Sequence, residues 1–164
     1  MINKEEIFKN ELDSIVDLDL NRFARFCMSK VANYFFKVPA STSGKYHPTY
    51  ALGKGGLVRH TKAAVKIALS ILDLDFTKSL FEDYEVSHDV IIFALIFHDC
   101  CKTNGGDTTV FEHPILASNF IQSCYQEFKE KEDIVGSISL FEKEVKMIEL
   151  GISSHMGQWN RDTH

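Results

Sequence analysis

The sequence predicts a single all-α domain of 164 residues, and three observations carry that expectation. Hydrophobic residues make up 45% of the chain, which is one domain's worth of core. Only three Pro and nine Gly interrupt it, so long stretches are free to be helical. Thirteen Phe with a single Trp suit ring-filled packing between helices.

Taken in order, two helices are expected over about 4–16 and 20–37, where Phe23, Phe26 or Cys27, Lys30 or Val31, and Phe35 keep an approximate 3.6-residue period. Pro39 ends the second, and residues 39–50 are too rich in small, polar and helix-breaking residues to be regular. A loop of that length in a compact domain is functional or disordered, and Lys45, Tyr46 and His47 favour the former. The Gly53-Lys54-Gly55-Gly56 turn lacks both the spacing and the preceding strand of a phosphate loop. Residues 57–72 follow as a helix with a wide apolar face and His60 in its first turn. A polar connection over 73–85, with a short helix about 78–84, leads to an almost wholly apolar helix over 86–101. Thr103-Asn104-Gly105-Gly106-Asp107 stops it by turn chemistry. A helix over 113–128 then opens with Pro114 in its first turn, where the missing N–H costs little, and places His113 at its entrance. After a charged connection at 129–133, the last helix spans 139–154 and delivers His155 at its end. The chain thus divides into N-terminal helices (1–37), a loop (38–56) and a core carrying the chemistry (57–160).

A net charge of −5 argues against a surface that grips nucleic acid as a whole, and leaves a polyanion to be met by a metal ion or a local patch. Cys27, Cys100, Cys101 and Cys124 show no Cys-x-x-Cys spacing and no disulfide framework, which points to a reducing cytoplasm. The N-terminus carries no apolar signal region, and no stretch approaches the ~18 apolar residues of a membrane span.

The stretch Ile91-Ile92-Phe93-Ala94-Leu95-Ile96-Phe97-His98-Asp99-Cys100-Cys101-Lys102 concentrates the chemistry. Adjacent helical residues point about 100° apart, close enough for an imidazole and a carboxylate to share one metal ion, with Lys102 on the same side. The competing account is that His98 and Asp99 complete the end of a core helix and Lys102 answers the helix dipole. A Cys–His nucleophile, built from Cys100 or Cys101 with His98 or His113, is a rival chemistry.

Gly55-Gly56-Leu57-Val58-Arg59-His60, then His98-Asp99-Cys100-Cys101-Lys102, then Glu112-His113-Pro114, then Ser153-Ser154-His155-Met156-Gly157 resembles the HD superfamily of metal-dependent phosphohydrolases. The likeness spans about residues 31–160 and is nearest the HD domain of bacterial 3′–5′ exoribonucleases and related phage-encoded HD proteins, which also carry a Pro-Ala-Ser-type loop with a histidine, here Pro39 to His47. The resemblance implies an HD-type helical bundle in which His60, His98 and Asp99 hold one divalent ion and His113 with His155 a second. Mixed imidazole and carboxylate ligation suits Mn²⁺, Fe²⁺, Ni²⁺ or Zn²⁺, with Mg²⁺ serving where oxygens dominate. Two ions would activate water and stabilise the leaving oxygen, with Asp99 as the bridging ligand and Lys102 against phosphate oxygens.

The expected substrates are nucleotides or single-stranded nucleic acid, cleaved in the manner of a 3′–5′ phosphodiesterase. Lys45, His47 and Trp159, with Tyr46 and Gln158 beside them, are the candidate substrate contacts. A small-molecule nucleotide phosphohydrolase and a non-catalytic metal-binding module are the alternatives. The sequence departs from the family at Cys101, where a Gly is usual, and in the last ligand, an aspartate from a later helix, for which Asp162 is the one aspartate downstream of His155.

Overall fold

The computed structural model describes residues 2–44, 47–132 and 138–157, without the side chains of 132 and 138–141. These residues form helices α1 (Lys4–Ile7), α2 (Lys9–Asp13), α3 (Leu18–Lys30), α4 (Gly56–Leu72), α5 (Asp75–Lys78), α6 (Tyr84–Phe97), α7 (His113–Glu132) and α8 (Ile138–Ser154), with two 3₁₀ turns at Asn33–Phe36 and Thr49–Ala51 and no strand among them. None of these helices is long and apolar enough to cross a membrane.

The first expected helix is interrupted at Phe8, whose backbone leaves helical angles while its ring is fully buried against Phe35 and Phe36. Burial of one large ring outweighs the few backbone hydrogen bonds that a continuous short helix would add. The second expected helix stops at Lys30 instead of 37. Val31 turns extended, and Lys4 reaches back from α1 to donate to the carbonyls of Ser29 at 2.8 Å and Val31 at 2.7 Å. Those oxygens would otherwise be orphaned at a helix end, so a residue distant in sequence sets the stop. The short helix expected at 78–84 lies at Asp75–Lys78, and α7 runs on through most of the expected charged connection.

Helix α6 is the centre of the bundle, packed between α4 and α8, while α7 packs on α8 and α3. Phe23 of α3 stacks on Phe93 of α6 at 5.3 Å between ring centroids, and Phe128 of α7 closes on Phe23 at the same distance. In the second turn of α6, buried Asp89 accepts the backbone N–H groups of Val16 (2.9 Å) and Asp17 (2.7 Å) and pairs with His88 Nδ1 (2.8 Å). The α2–α3 connection is thereby anchored to the central helix, and Asp17 in turn caps α3 through the Leu20 N–H.

The entrance to α4 is fixed from three sides. Gly55 N–H donates to the Lys37 carbonyl and Leu57 N–H to that of Val38, each at 3.0 Å. Arg59 sends its guanidinium to the carbonyls of Tyr50, Leu52 and Lys54. Gly56 lies so close to the Thr49–Ala51 turn that a Cβ there would stand 2.1 Å from the Ala51 oxygen and 2.7 Å from its carbonyl carbon. Backbone cannot yield as a flexible side chain can. Gly56→Ala is therefore expected to lower stability by roughly 1–3 kcal/mol or more, read as a shift in the urea unfolding midpoint at unchanged slope.

Candidate metal centre

The histidines at 60, 98, 113 and 155 come from four helix ends. His60 is the fifth residue of α4, His98 caps the end of α6, His113 opens α7, and His155 follows the last residue of α8. α6 ends at Phe97, four residues before the expected 101, and the chain passes into turns in which Cys100 N–H bonds to the Phe97 carbonyl and Lys102 N–H to that of Asp99, both at 3.0 Å. This tighter winding brings Asp99 and Lys102, three residues apart, to one side.

All four imidazoles converge on the Asp99 carboxylate. Oδ2 faces His98 Nε2 at 3.3 Å and His60 Nε2 at 3.8 Å, while Oδ1 faces His113 Nε2 at 3.0 Å and His155 Nε2 at 3.6 Å. The nitrogens of His113 and His155 are 3.2 Å apart. Two triads result, His60–His98–Asp99 and Asp99–His113–His155, joined through the one carboxylate. Donors held about 2.0–2.2 Å from a common ion in tetrahedral or octahedral geometry lie about 2.8–3.6 Å apart, which is close to the spacing these atoms have. The cluster could hold a metal ion.

Three of the histidines are oriented by the same device. His98 Nδ1 lies 2.7 Å from the Leu95 carbonyl, His113 Nδ1 2.8 Å from that of Val110, and His155 Nδ1 2.7 Å from that of Ile152. A carbonyl only accepts, so each Nδ1 carries the hydrogen, and in the neutral ring Nε2 is left as a lone pair aimed at the cluster. Lone pairs facing one another and a carboxylate repel unless a proton or a cation lies between them. Lys102 supplies one such cation, its Nζ bonding both Asp99 oxygens at 2.9 and 3.1 Å.

Asp99 is 1% exposed and Lys102 8%. Burial by itself would raise the Asp99 pKa, but the charge of His98 and the hydrogen bonds that His113, His155 and His98 give when their Nε2 also carries a proton hold it well below the usual carboxylate value. Burial by itself would lower His98, and the Asp99 charge and hydrogen bond more than reverse this, so His98 is raised. His60 is lowered to about 4, by burial first and by His98 second. His60 is thus neutral at pH 7, with its lone pair available.

His47, from the 38–56 loop, joins the edge of the site with its ring 4.8 Å from that of His60, and its Nδ1 is buried without a hydrogen-bond partner. Its pKa is lowered by burial and then by Lys102. Lys45, Tyr46, Gln158, Trp159 and Asp162 lie outside the described residues. Cys100 is buried, with its thiol pKa pushed well up by burial, and its sulfur lies 3.8 Å from that of Cys101. A buried thiol raised in this way is a poor nucleophile, which disfavours the Cys–His chemistry at Cys100. The hydrogen bond from Cys100 lowers Cys101, which is half-buried.

A cavity of about 590 Å³ opens beside the cluster, with His47, Lys102 and His113 in its wall and Thr42, Thr109 and Phe111 further out. The outer wall and Arg59, which positions the helix carrying His60, escaped the sequence reading. The hydroxyl-rich run Ser41-Thr42-Ser43 was the available signal for the former, and an Arg next to a ligand histidine for the latter.

Comparison with known proteins gives no match: no family model, no curated protein and no solved structure aligns significantly with the chain.

The two opposite shifts give a test in the metal-free protein. A histidine depressed from 6.5 to about 4 withdraws stability as the pH falls through that window, because the unfolded chain takes up the proton first. The raised His98 does the reverse: its contribution is fully present below 6.5 and is lost as the pH rises through its folded value. Ring-proton NMR titration should show His60 inflecting near pH 4 and His98 above 6.5. Overlapping curves would contradict the assigned environments.

Proposed function

We propose that the protein is a divalent-metal-dependent phosphohydrolase that cleaves phosphoesters of nucleotides or single-stranded nucleic acid. The reading rests on the HD-like order of motifs around His60, His98-Asp99, His113 and His155, and on one observation above all. Four imidazole nitrogens and both oxygens of a single carboxylate meet at ion-sharing distances, with three of the rings locked so that a lone pair points inwards.

In this reading His60, His98 and Asp99 hold one ion, and Asp99, His113 and His155 hold a second. Bound divalent ions would lower the pKa of water and neutralise charge on the phosphoryl group and the leaving oxygen. The chain's own groups do the rest. The carbonyls of Leu95, Val110 and Ile152 keep the rings in the ligating tautomer. Lys102, which both pairs with Asp99 and lines the cavity, is placed to exchange one carboxylate for a phosphate oxygen as a compact point charge. His47, half-buried and partnerless at Nδ1, offers a further donor or acceptor to the same oxygens.

Protons and metal compete for the same nitrogens, so binding should release protons. Calorimetric titration of Mn²⁺ in buffers of different ionisation enthalpy at pH 6–7 is expected to show this, with His98→Ala losing at least about tenfold in affinity, as removal of a ligand or its support does. An unchanged metal stoichiometry and affinity in His98→Ala would sink the ligand assignment.

Substrate class is read by incubating the Mn²⁺-loaded protein with a nucleotide panel and with 5′-labelled single-stranded oligonucleotides. Release of phosphate or stepwise shortening, lost in Asp99→Asn by about 10³-fold or more as for loss of a principal charge-stabilising group, supports the proposal. Tight metal binding with neither product would instead make this a metal-binding module.

A further inference from the structure

We propose that the exposed corner made by the end of α4 and by α5 docks a basic amphipathic segment of a partner protein. The corner lies at the far end of the bundle from the metal-ligand cluster: Tyr84 opens α6 beside it, and the 14 residues of that helix run about 20 Å before His98. The inference goes beyond the phosphohydrolase reading and does not depend on it.

Large apolar side chains gather there on the outside. Ile67, Ile71 and Leu74 follow at intervals of four and three, one face of α4 carried just past its end at Leu72, and each is more than half exposed. Phe76 in α5 is 74% exposed, and Leu80, shortly after it, 63%. The backbone beneath them is fixed. Leu74 N–H donates to the Ile71 carbonyl at 3.2 Å, Lys78 N–H to that of Leu74 at 3.0 Å and Leu80 N–H to that of Thr77 at 3.1 Å. The Tyr84 hydroxyl donates to the Leu72 carbonyl at 2.9 Å, and Tyr84 and Phe81 pack against the core. The segment has thus already committed two rings inwards, and Phe76 and Leu80 are a second apolar face on an anchored turn. Outward apolar surface of this kind, rimmed by polar residues, marks a contact with another macromolecule.

Charge decides the occupant. From 66 to 85, all of them described residues, the chain carries the exposed carboxylates of Asp73, Asp75, Glu82, Asp83 and Glu85 against Lys66 and Lys78, and Lys78 already bonds Asp73 at 3.0 Å. A second copy docked through the same patch would set these carboxylates against one another, and like charges brought together at an interface are costly. An anionic lipid surface is repelled for the same reason. A helix with Leu or Phe on one face and Lys or Arg along its borders fits both features. Its apolar face covers Ile71, Leu74 and Leu80, while its cationic side chains lay their stems over apolar surface and reach the carboxylates with their heads. The exposed ring of Phe76 offers a face to one of those cations as well.

The test uses the full chain, uniformly ¹⁵N-labelled, titrated with three synthetic probes: an amphipathic Lys/Leu helix, a Glu/Leu helix of the same pattern, and a Lys/Ser peptide that keeps the charge without the apolar face. Amide shifts within 66–85 are expected with the Lys/Leu helix, and at least about tenfold weaker binding of the other two, from the loss of charge complementarity in one and of the apolar anchors in the other. Phe76→Ser with Leu80→Ser should weaken the Lys/Leu helix at least about tenfold at an unchanged unfolding midpoint, and Asp75→Lys with Glu82→Lys should turn the preference towards the Glu/Leu helix. Equal binding of the Lys/Leu and Glu/Leu helices, shifts centred elsewhere, or indifference to the Phe76 and Leu80 substitutions would overturn the docking site. So would a concentration-dependent dimer in sedimentation that Phe76→Ser with Leu80→Ser abolishes, which assigns the corner to a second copy, or binding of the same residues to phosphatidylglycerol–phosphatidylcholine vesicles, which assigns it to a membrane surface. Both pairs of substitutions should keep the parent's Mn²⁺ affinity, so this site and the phosphohydrolase reading stand or fall separately.

Discussion

A carboxylate buried to 1% exposure at the end of the most apolar helix is the constraint on which the rest of this structure depends. An unpaired charge in that position would cost several kcal/mol, and removing one partner of a buried pair about 3–5 kcal/mol. Asp99 is never offered as a lone charge, because Lys102 covers both oxygens and four imidazoles ring them. Each of those partners in turn constrains a helix end. The i−3 carbonyls of Leu95, Val110 and Ile152 hold the rings of His98, His113 and His155, and those of Val110 and Ile152 accept the backbone N–H groups of His113 and His155 as well, so ring and backbone of each are fixed by one turn. The bundle is thus tied by a polar knot at one end and by phenylalanine packing along its length.

The support around His60 shows the same economy in the backbone. Arg59 spends its donors on three carbonyls of the 50–54 segment, Gly56 allows that segment to touch the helix, and Gly55 and Leu57 bond back to Lys37 and Val38. The loop before α4 is therefore held in place, and it carries His47 to within ring contact of His60. One guanidinium takes the carbonyls of Tyr50, Leu52 and Lys54 and so ties the 50–54 turn to α4.

Residues that signal through local pattern were legible in the sequence, and residues that act at a distance were not. The all-helical class, and the placing of His60, His98, His113 and His155 at helix ends, followed from periodicity, Pro114 and the Gly-rich turns. The stop of α3 at Lys30 was illegible because the group that fixes it, the Lys4 ammonium, lies 27 residues before Val31. The Phe8 break was illegible for a related reason: its cause is a ring cluster with Phe35 and Phe36, and apolar periodicity cannot say which of two elements yields when they compete for one core. The end of α6 was overrun by four residues since Cys100 and Cys101 continue the apolar pattern, although one of them serves the core from within a turn. The Thr42–Thr109 bridge joins two exposed polar residues 67 apart, and nothing in either segment announces the other.

The electrostatic balance of the cluster rests first on Asp99 and Lys102. Asp99 and Lys102 cancel, so the described centre is close to neutral apart from whatever protons the imidazoles hold. A divalent ion bound there would displace whatever protons the imidazoles hold and leave a net positive charge in a buried site, where it is weakly screened. Were the site lined with two or three carboxylates, the same ion would be neutralised and an anionic substrate would gain little from it. On the proposed phosphohydrolase reading, a shell of imidazoles around a single carboxylate would hold a divalent ion less tightly by charge than several carboxylates would, and for that reason would leave more of its charge to act on a phosphate.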